Sequence, residues 1–363
     1  MTVVVDPRAA FPTAGDRNPF VRYRALFYSY DLARSAGMSD AQYVEIVRAL
    51  DAAVAAVDGH GFGVTPFERC AELSDRLSFA ADGGVWVKDE TRNVSGSHKA
   101  RHLMGLAILF SVVERLGLAP RPGGPAMLAI ASCGNAALAA AVVARAAGRP
   151  LEVFIPTTAD PSIVARLERL GARLSVCVRD EGLPGDPTYR RLQDAVQRGA
   201  VPFTCQGSDN GLTIEGGKTL GYEIAAQLAA RGESLDRLFI QVGGGALASA
   251  VIQGVHDAHR RGALGALPRV HAVQTEGGYP LRRAYDRLAD RIVARLERGP
   301  GRRAARLDGD RGRAEFIRAQ AATAAGAPAV AHELLYAATH RSEFMWPWER
   351  EPKSIAHGIL DDE

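Results

Sequence analysis

Amines are scarce in this chain, and one of them stands where it could do chemistry. Lysine and arginine together number 44, yet only Lys88, Lys99, Lys218 and Lys353 are lysine. Arginine is the default cation, so a retained lysine asks for a reason that a guanidinium cannot meet. One such reason is covalent: an amine can deprotonate and form a Schiff base, whereas a guanidinium stays protonated. Lys99 lies in Asn93-Val94-Ser95-Gly96-Ser97-His98-Lys99-Ala100-Arg101, just inside an expected helix start. Ser95 and Ser97 are candidate N-caps, and Leu103, Leu106, Ala107, Leu109, Phe110 and Val113 follow at helical spacing. A surface lysine in a capped first turn accounts for the same residues as well.

Two more loops carry groups suited to an anionic ligand. In Ala131-Ser132-Cys133-Gly134-Asn135-Ala136, exposed N–H groups and the Ser132 hydroxyl could cradle a carboxylate, and the Asn135 amide could donate to a ring oxygen. Helix capping by Ser132 or Asn135 is the plainer alternative. In Gln241-Val242-Gly243-Gly244-Gly245-Ala246-Leu247, consecutive glycines let the backbone wrap a phosphate at a helix N-terminus. A lone triple glycine is weak evidence. Three such loops, each between a strand and a helix, form a pattern, because α/β proteins place ligand sites at that junction.

The elements that must hold these loops alternate. Expected strands run over residues 85–88, 127–131, 151–155, 174–178, 238–242 and 270–274. Expected helices run over residues 136–147, 161–170, 187–198, 215–230, 246–261 and 282–298. Residues 17–58 read as helical, with Tyr23, Leu26, Phe27 and Tyr30 on one apolar face and Ile46 to Val57 in another helix. The βαβα order implies a parallel sheet covered by helices on both faces. Gly59-His60-Gly61-Phe62-Gly63 reads as a plain loop, since no strand precedes it and Pro66 follows. Residues 299–312 read as an exposed Gly/Arg-rich connection, and Phe344 to Trp348 as an aromatic segment packing on the core.

Composition excludes several classes. A length of 363 residues suggests about two domains, and 47% hydrophobic with 23% charged residues is that of an ordinary globular protein. The net charge of +3, with Arg and Asp/Glu intermixed, gives no case for nucleic acid. No apolar run escapes charge for a membrane-spanning length, and the N-terminus has no signal-peptide pattern. Cys70, Cys133, Cys177 and Cys205 are widely spaced and read as reduced thiols of a cytoplasmic protein. His256 and His259 lie three apart with no carboxylate or cysteine cluster beside them, so no metal site is expected.

With Lys99, the SCGN loop and the GGG loop in this order, the chain resembles the fold type II pyridoxal phosphate enzymes. That group includes threonine synthase, threonine/serine ammonia-lyase, cysteine synthase and the tryptophan synthase β chain. The resemblance runs from about Thr65-Pro66 to Glu276-Gly277. It implies an α/β fold with two parallel-sheet αβα domains and pyridoxal 5'-phosphate in the cleft between them. It implies that Lys99 holds the cofactor covalently and that Gly243, Gly244, Gly245, Ala246 and Leu247 receive its phosphate. Ser132, Cys133, Gly134 and Asn135 would hold the substrate carboxylate, with Asn135 approaching the phenolic oxygen of the cofactor. His98 stands where the threonine branch usually has Phe and is similar to the tryptophan synthase β chain; it is a candidate second phosphate donor, with buried core packing as the alternative. Glu215 to Ile224 is similar to a threonine synthase helix, chiefly through Lys218, and Pro352 to Ile359 to a segment shared with threonine ammonia-lyase.

The expected arrangement is a smaller domain of residues 100–205 inserted in a larger one of residues 1–99 and 206–363. The expected activity is β-elimination from serine or threonine, with threonine synthase-like replacement as the alternative and a silent cofactor-binding regulator as the third. The expected partner is a small amino acid, with homo-oligomerisation, as a dimer, also expected. Family members usually continue past the Ile355-Ala356 segment with residues that meet the pyridine nitrogen, whereas this sequence stops at Glu363. A fragment, or a site completed by another chain, is therefore expected.

Overall fold

The computed structural model describes residues 11–79, 83–118, 125–179, 185–297, 309–345, 348–350 and 352–356. They divide into two compact units, Met1–Ile240 with Gly245–Ala272, and Gln241–Gly244 with Val273–Glu363.

In the first unit the expected helical stretch breaks into α1 (Pro19–Arg22), α2 (Tyr28–Ser35) and α3 (Asp40–Asp58). Each break has a local cause. The Asn18 side chain accepts the Phe20 N–H at 2.8 Å to start α1. Ser39 and Gln42 form a reciprocal capping box that starts α3, and Gly59 at φ 91° ends it. Two short elements went unread in the sequence, β1 (Phe67–Arg69) and α4 (Ala71–Arg76). β1 pairs antiparallel with β2 (Trp86–Lys88), Phe67 opposite Lys88. Then comes α5 (Lys99–Arg115), whose Leu103 and Leu106 are fully buried, each contributing roughly 2 kcal/mol.

The alternation that follows is as expected through β3 (Leu128–Ala131), α6 (Asn135–Ala146), β4 (Leu151–Pro156), α7 (Pro161–Arg169), β5 (Arg173–Cys177) and α8 (Pro187–Gln197), after which comes β6 (Val201–Pro202), also unread in the sequence. The four strands form one parallel sheet in the order β5-β4-β3-β6, with Leu128 beside both Leu151 and Val201. Central β3 is buried through Leu128, Ala129 and Ile130, the near-continuous apolar run that a parallel strand covered on both faces requires. Pro202 lies on a two-residue edge strand, where its missing N–H costs nothing. In α6 every residue from Ala137 to Ala144 is buried, so the helix is apolar all round and small side chains admit close neighbours.

The unit closes with α9 (Thr213–Arg231), β7 (Arg237–Gln241), α10 (Ala246–Arg260) and β8 (Arg269–Val273). β7 and β8 form a separate two-stranded sheet. Glycines explain how α9 packs. A Cβ on Gly216 would lie 2.1 Å from the Arg101 carbonyl oxygen of α5, and one on Gly221 would lie 2.6 Å from the Val251 carbonyl oxygen of α10. Both crossings therefore demand a residue without a side chain.

The second unit holds α11 (Pro280–Glu297), α12 (Gly309–Ala321), α13 (Ala327–Thr339) and α14 (Arg341–Met345). Its small core joins Ile292, Leu296 and Val330, beside Glu333, which pairs with Arg291 at 2.8 Å and Arg295 at 2.5 Å. The stretch read as a connection over residues 299–312 is corrected at its end, where residues 309–312 open α12; residues 299–308 lie outside the described residues. In the aromatic segment Phe344 is buried and Trp348 lies under the Arg283 guanidinium, while Trp346 and Pro347 lie outside the described residues. Among the described residues no helix is long and apolar enough to cross a membrane.

Candidate active site

Lys99 is the first residue of α5, after a turn that the sequence builds from unusual backbone. Of the two candidate caps, Ser97 plays the part weakly, its Oγ accepting the Lys99 N–H at 3.4 Å. Ser95 caps nothing. It sits in the left-handed region at φ 60° and ψ 11°, a conformation costing a non-glycine residue about 1–2 kcal/mol. Its N–H donates to Asp58 Oδ2 at 2.8 Å, and its own Oγ is buried without a partner. Lys99 itself is half-buried. Among the described residues its Nζ has no hydrogen-bond or ion-pair partner, whereas Lys88 pairs with Glu223 at 2.6 Å and Lys218 with Asp257 at 3.2 Å. Lys99 is thus a lysine left available for chemistry.

Behind it, Arg101, itself fully buried, anchors the first turn of α5 in an ion cluster. Its guanidinium donates to Glu90 at 2.7 and 2.9 Å and to Glu223 Oε1 at 2.6 Å, and reaches Thr219 Oγ1 at 3.0 Å. Lys88 Nζ donates to Glu223 Oε2 at 2.6 Å, to the Thr65 carbonyl at 2.6 Å and to Gln227 Oε1 at 3.0 Å. Two cations face two carboxylates, so the cluster is neutral. Burial pushes the Glu223 carboxyl up, but Arg101 and Lys88 outweigh it and hold the group below its ordinary range. Burial lowers the Lys88 amine against the pull of Glu223. Asn93 joins the cluster to the turn, its amide donating to Glu90 Oε2 at 3.0 Å and to the Ser97 carbonyl at 3.1 Å.

Two histidines stand one turn apart around the head of α5. His98 and His102 meet edge to face with ring centroids 5.7 Å apart. His102 is fully buried; its Nδ1 lies 3.0 Å from the Thr213 carbonyl oxygen, so that nitrogen carries the proton and Nε2 is a lone pair. Desolvation, and then the charge of Lys99, push His102 down to about 3 and hold His98 well below the ordinary histidine value. His98 Nδ1 and His102 Nε2 are both buried without partners. Buried orphans of this kind ask for a ligand or water to satisfy them.

The other two loops present uncapped helix starts. α7 and α8 begin on the side-chain caps Asp160 and Asp186, whereas α6 begins after Gly134 and α10 after Gly245, with no side-chain cap and no acidic residue in the first turn. Their first N–H groups are free to meet an anion. Asn135, the first residue of α6, and Cys133 are exposed, while Ser132 and Gly134 are half-buried. Ser132 Oγ accepts only the Gly134 N–H at 3.4 Å, so the capping alternative fails for both Ser132 and Asn135. Gly245 is left-handed at φ 86°, with open space where a Cβ would be. Gly243 and Leu247 are half-buried, Gly244 is exposed and Ala246 is buried. Helices α5 and α10 meet at Gly217 of α9, where a Cβ would lie 2.3 Å from His102 Cε1 and 2.7 Å from Ala250 Cβ. An unpartnered amine, an orphaned His98 nitrogen and glycine-led helix starts are group types that would suit a phosphate-bearing aldehyde cofactor. His256 and His259 gather no ligands, and among the described residues no group of three or more His, Cys, Asp or Glu could hold a metal ion.

Sequence reading missed Glu90, Glu223, His102 and Asp58. Two of these left a signal: Glu223 interrupts the apolar run from Leu220 to Ala226, and His102 interrupts that of α5. Their partners lie far along the chain, so no local pattern names them.

The chain matches the family described as "Pyridoxal-phosphate dependent enzyme" over residues 60–338. It is 27% identical over 232 residues to the threonine synthase of Methanosarcina acetivorans, covering 64% of this chain and 52% of that enzyme. It is 30% identical over 180 residues to an L-serine dehydratase of Saccharomyces cerevisiae, covering 48% of this chain and 52% of that enzyme. The chain spans about half the length of these curated relatives. Among solved structures it is similar to O-ureido-L-serine synthase at 20% identity and a TM-score of 0.49, over 79% of this chain and 86% of that one. It is likewise similar to the L-serine ammonia-lyase of Rhizomucor miehei at 22% identity and a TM-score of 0.47, over 62% of this chain and 63% of that one. The matched span includes Lys99, the Ser132–Asn135 loop and the glycine run, and the chain belongs to the pyridoxal-phosphate dependent enzyme family.

Proposed function

We propose that the chain is a lyase that eliminates a β substituent from a small hydroxy amino acid such as serine or threonine. The observation that carries the proposal is the Lys99 amine, half-buried and without a partner at the head of α5. Pyridoxal phosphate, when bound, supplies an electron sink for the charge left when a substrate loses its α proton. Lys99 Nζ would hold the cofactor covalently and, as a free amine, would serve as the base that takes the α proton. The N–H groups from Gly243 to Leu247 receive the phosphate, with His98 as a second donor. The N–H groups and hydroxyl of the loop from Ser132 to Asn135 would hold the substrate carboxylate, and the Asn135 amide would donate to the cofactor's phenolic oxygen. Residues 100–205, which contain the whole β5-β4-β3-β6 sheet, form the smaller domain inserted in the rest.

A replacement reaction is the second reading, favoured by the match to a threonine synthase over 232 residues. Incubating the cofactor-loaded chain with serine and threonine separates the two. Release of a keto acid and ammonia is the expected outcome; consumption of amino acid only when an external nucleophile or a phosphorylated substrate is added would favour replacement. The four cysteines are free, which suits a cytoplasmic enzyme. A homodimer belongs to the same proposal, and sedimentation checks it.

A further inference from the structure

Asp58 stands where electrostatics alone would not put it. It is the last residue of α3, at the helix end that already carries partial negative charge, and no basic residue offsets it in the last turn. Its side chain is only 8% exposed. A buried carboxylate at that end of a helix must be held by donors from elsewhere. Ser95 supplies the closest, its N–H lying 2.8 Å from Asp58 Oδ2. Arg166 of α7 approaches Oδ1 at 3.6 Å and His60 approaches Oδ2 at 3.7 Å, both outside hydrogen-bond range.

The donor is as telling as the acceptor. Ser95 is one of two described non-glycine residues with positive φ, and Gly96 follows it at φ 77°. Two successive left-handed residues reverse the chain before Ser97 returns to extended backbone and α5 begins at Lys99. Serine does not choose that conformation for itself, and the Ser95 hydroxyl makes no bond that would favour it. Three bonds hold the turn, four residues before Lys99: the Gly96 N–H donates to the Asn93 carbonyl at 2.8 Å, the Asn93 amide donates to the Ser97 carbonyl at 3.1 Å, and the Ser95 N–H donates to Asp58, the one of the three that falls on the left-handed serine itself.

We propose that Asp58 is a positioning residue for Lys99: by holding the Ser95 N–H it keeps the turn left-handed and so aims the Lys99 amine. Asp58 touches neither cofactor nor substrate and acts through Ser95. Its long contact to Arg166 also brings α7 to the same carboxylate, so the turn is referenced to that helix as well as to α3. The inference rests on the reading of Lys99 as the cofactor lysine.

The test is the rate at which pyridoxal phosphate with cyanoborohydride labels Lys99 in the full chain, read by peptide mapping, with melting followed on the same samples. Asp58→Ala loses a charge-assisted hydrogen bond and is expected to slow labelling about tenfold. Asp58→Asn keeps an acceptor oxygen and should stay within about threefold of the parent. Ser95→Gly added to Asp58→Ala should recover most of the loss, because glycine holds the left-handed turn unaided. Asp58→Ala labelled at the parental rate overturns the inference, as does a double variant that folds yet labels as slowly as Asp58→Ala alone. Should Asp58→Ala fail to fold, a folded and labelled double variant supports the inference and an unfolded one overturns it. A parent that takes no label at Lys99 sinks the cofactor reading and this inference together, whereas a labelled parent with an indifferent Asp58→Ala sinks this inference alone.

Discussion

At the scale of the residue, His102 shows how burial sets chemistry around the amine. The folded chain keeps it neutral down to about pH 3, whereas an unfolded chain protonates histidine near 6.5. The folded value is therefore depressed, and the unfolded state binds the extra proton between those limits. The contribution of His102 to stability is complete above about pH 6.5 and is lost progressively as pH falls toward 3. His102→Gln should flatten this part of the profile, measured as the urea midpoint of the cofactor-free chain at steps from pH 7 to pH 4. A variant whose midpoint falls with acid as steeply as the parent would mean that other groups carry the dependence. The same residue illustrates what a sequence hides. A histidine in an apolar helix is visible, but its Thr213 carbonyl partner and the room that Gly217 leaves for it come from a different helix.

At the scale of the element, α9 is where α5 and α10 are joined. Two helices meet on it through glycines: α5 at Gly216, α5 with α10 at Gly217, and α10 at Gly221 with Gly254. Read in sequence, Glu215 to Ile224 is similar to a family helix, and nothing in it says that its glycines are backbone contacts. Gly216→Ala gains about 1 kcal/mol of helix propensity. It also places a Cβ 2.1 Å from the Arg101 carbonyl oxygen, and overpacking of that kind costs roughly 1–3 kcal/mol or more. The clash is with backbone, which cannot turn aside, so the net effect is expected to be destabilising. A melting temperature equal to or above the parent's would show that the α5–α9 crossing has slack. Glu223 on the same helix supports a second expectation. Glu223→Gln leaves Arg101 and Lys88 buried with one carboxylate between them, and breaking a buried pair costs about 3–5 kcal/mol. Calorimetry reads the loss; a change within the error of the parent would mean that Lys88 gives up its proton and Glu90 balances Arg101.

At the scale of the whole molecule, legibility followed the range of the interaction. The alternation from β3 to β8 was readable because hydrophobic period, glycine stops and the caps of α7 and α8 are local, and the expected bounds fall within about two residues of the observed ones. Lys99, the Ser132–Asn135 loop and the glycine run were readable because each is a short segment at a strand-to-helix junction. The two-residue edge strand β6 and the short β1 were not, since a pairing that short takes its definition from its partner strand. Helices α12 to α14 were lost among a charge-rich stretch whose apolar face is narrow, with Val330 and Phe344 its buried residues. Asp58 and the Arg101 cluster were not readable because they join segments far apart in the chain, Lys88 and Gln227 being 139 residues apart. All these long-range contacts converge on one claim, that of four lysines Lys99 is the one that carries the cofactor. Borohydride reduction of the chain loaded with pyridoxal phosphate, followed by peptide mapping, tests it most directly. The account predicts a single labelled peptide containing Lys99; a label on Lys88 or Lys218, with Lys99 unmodified, would contradict it.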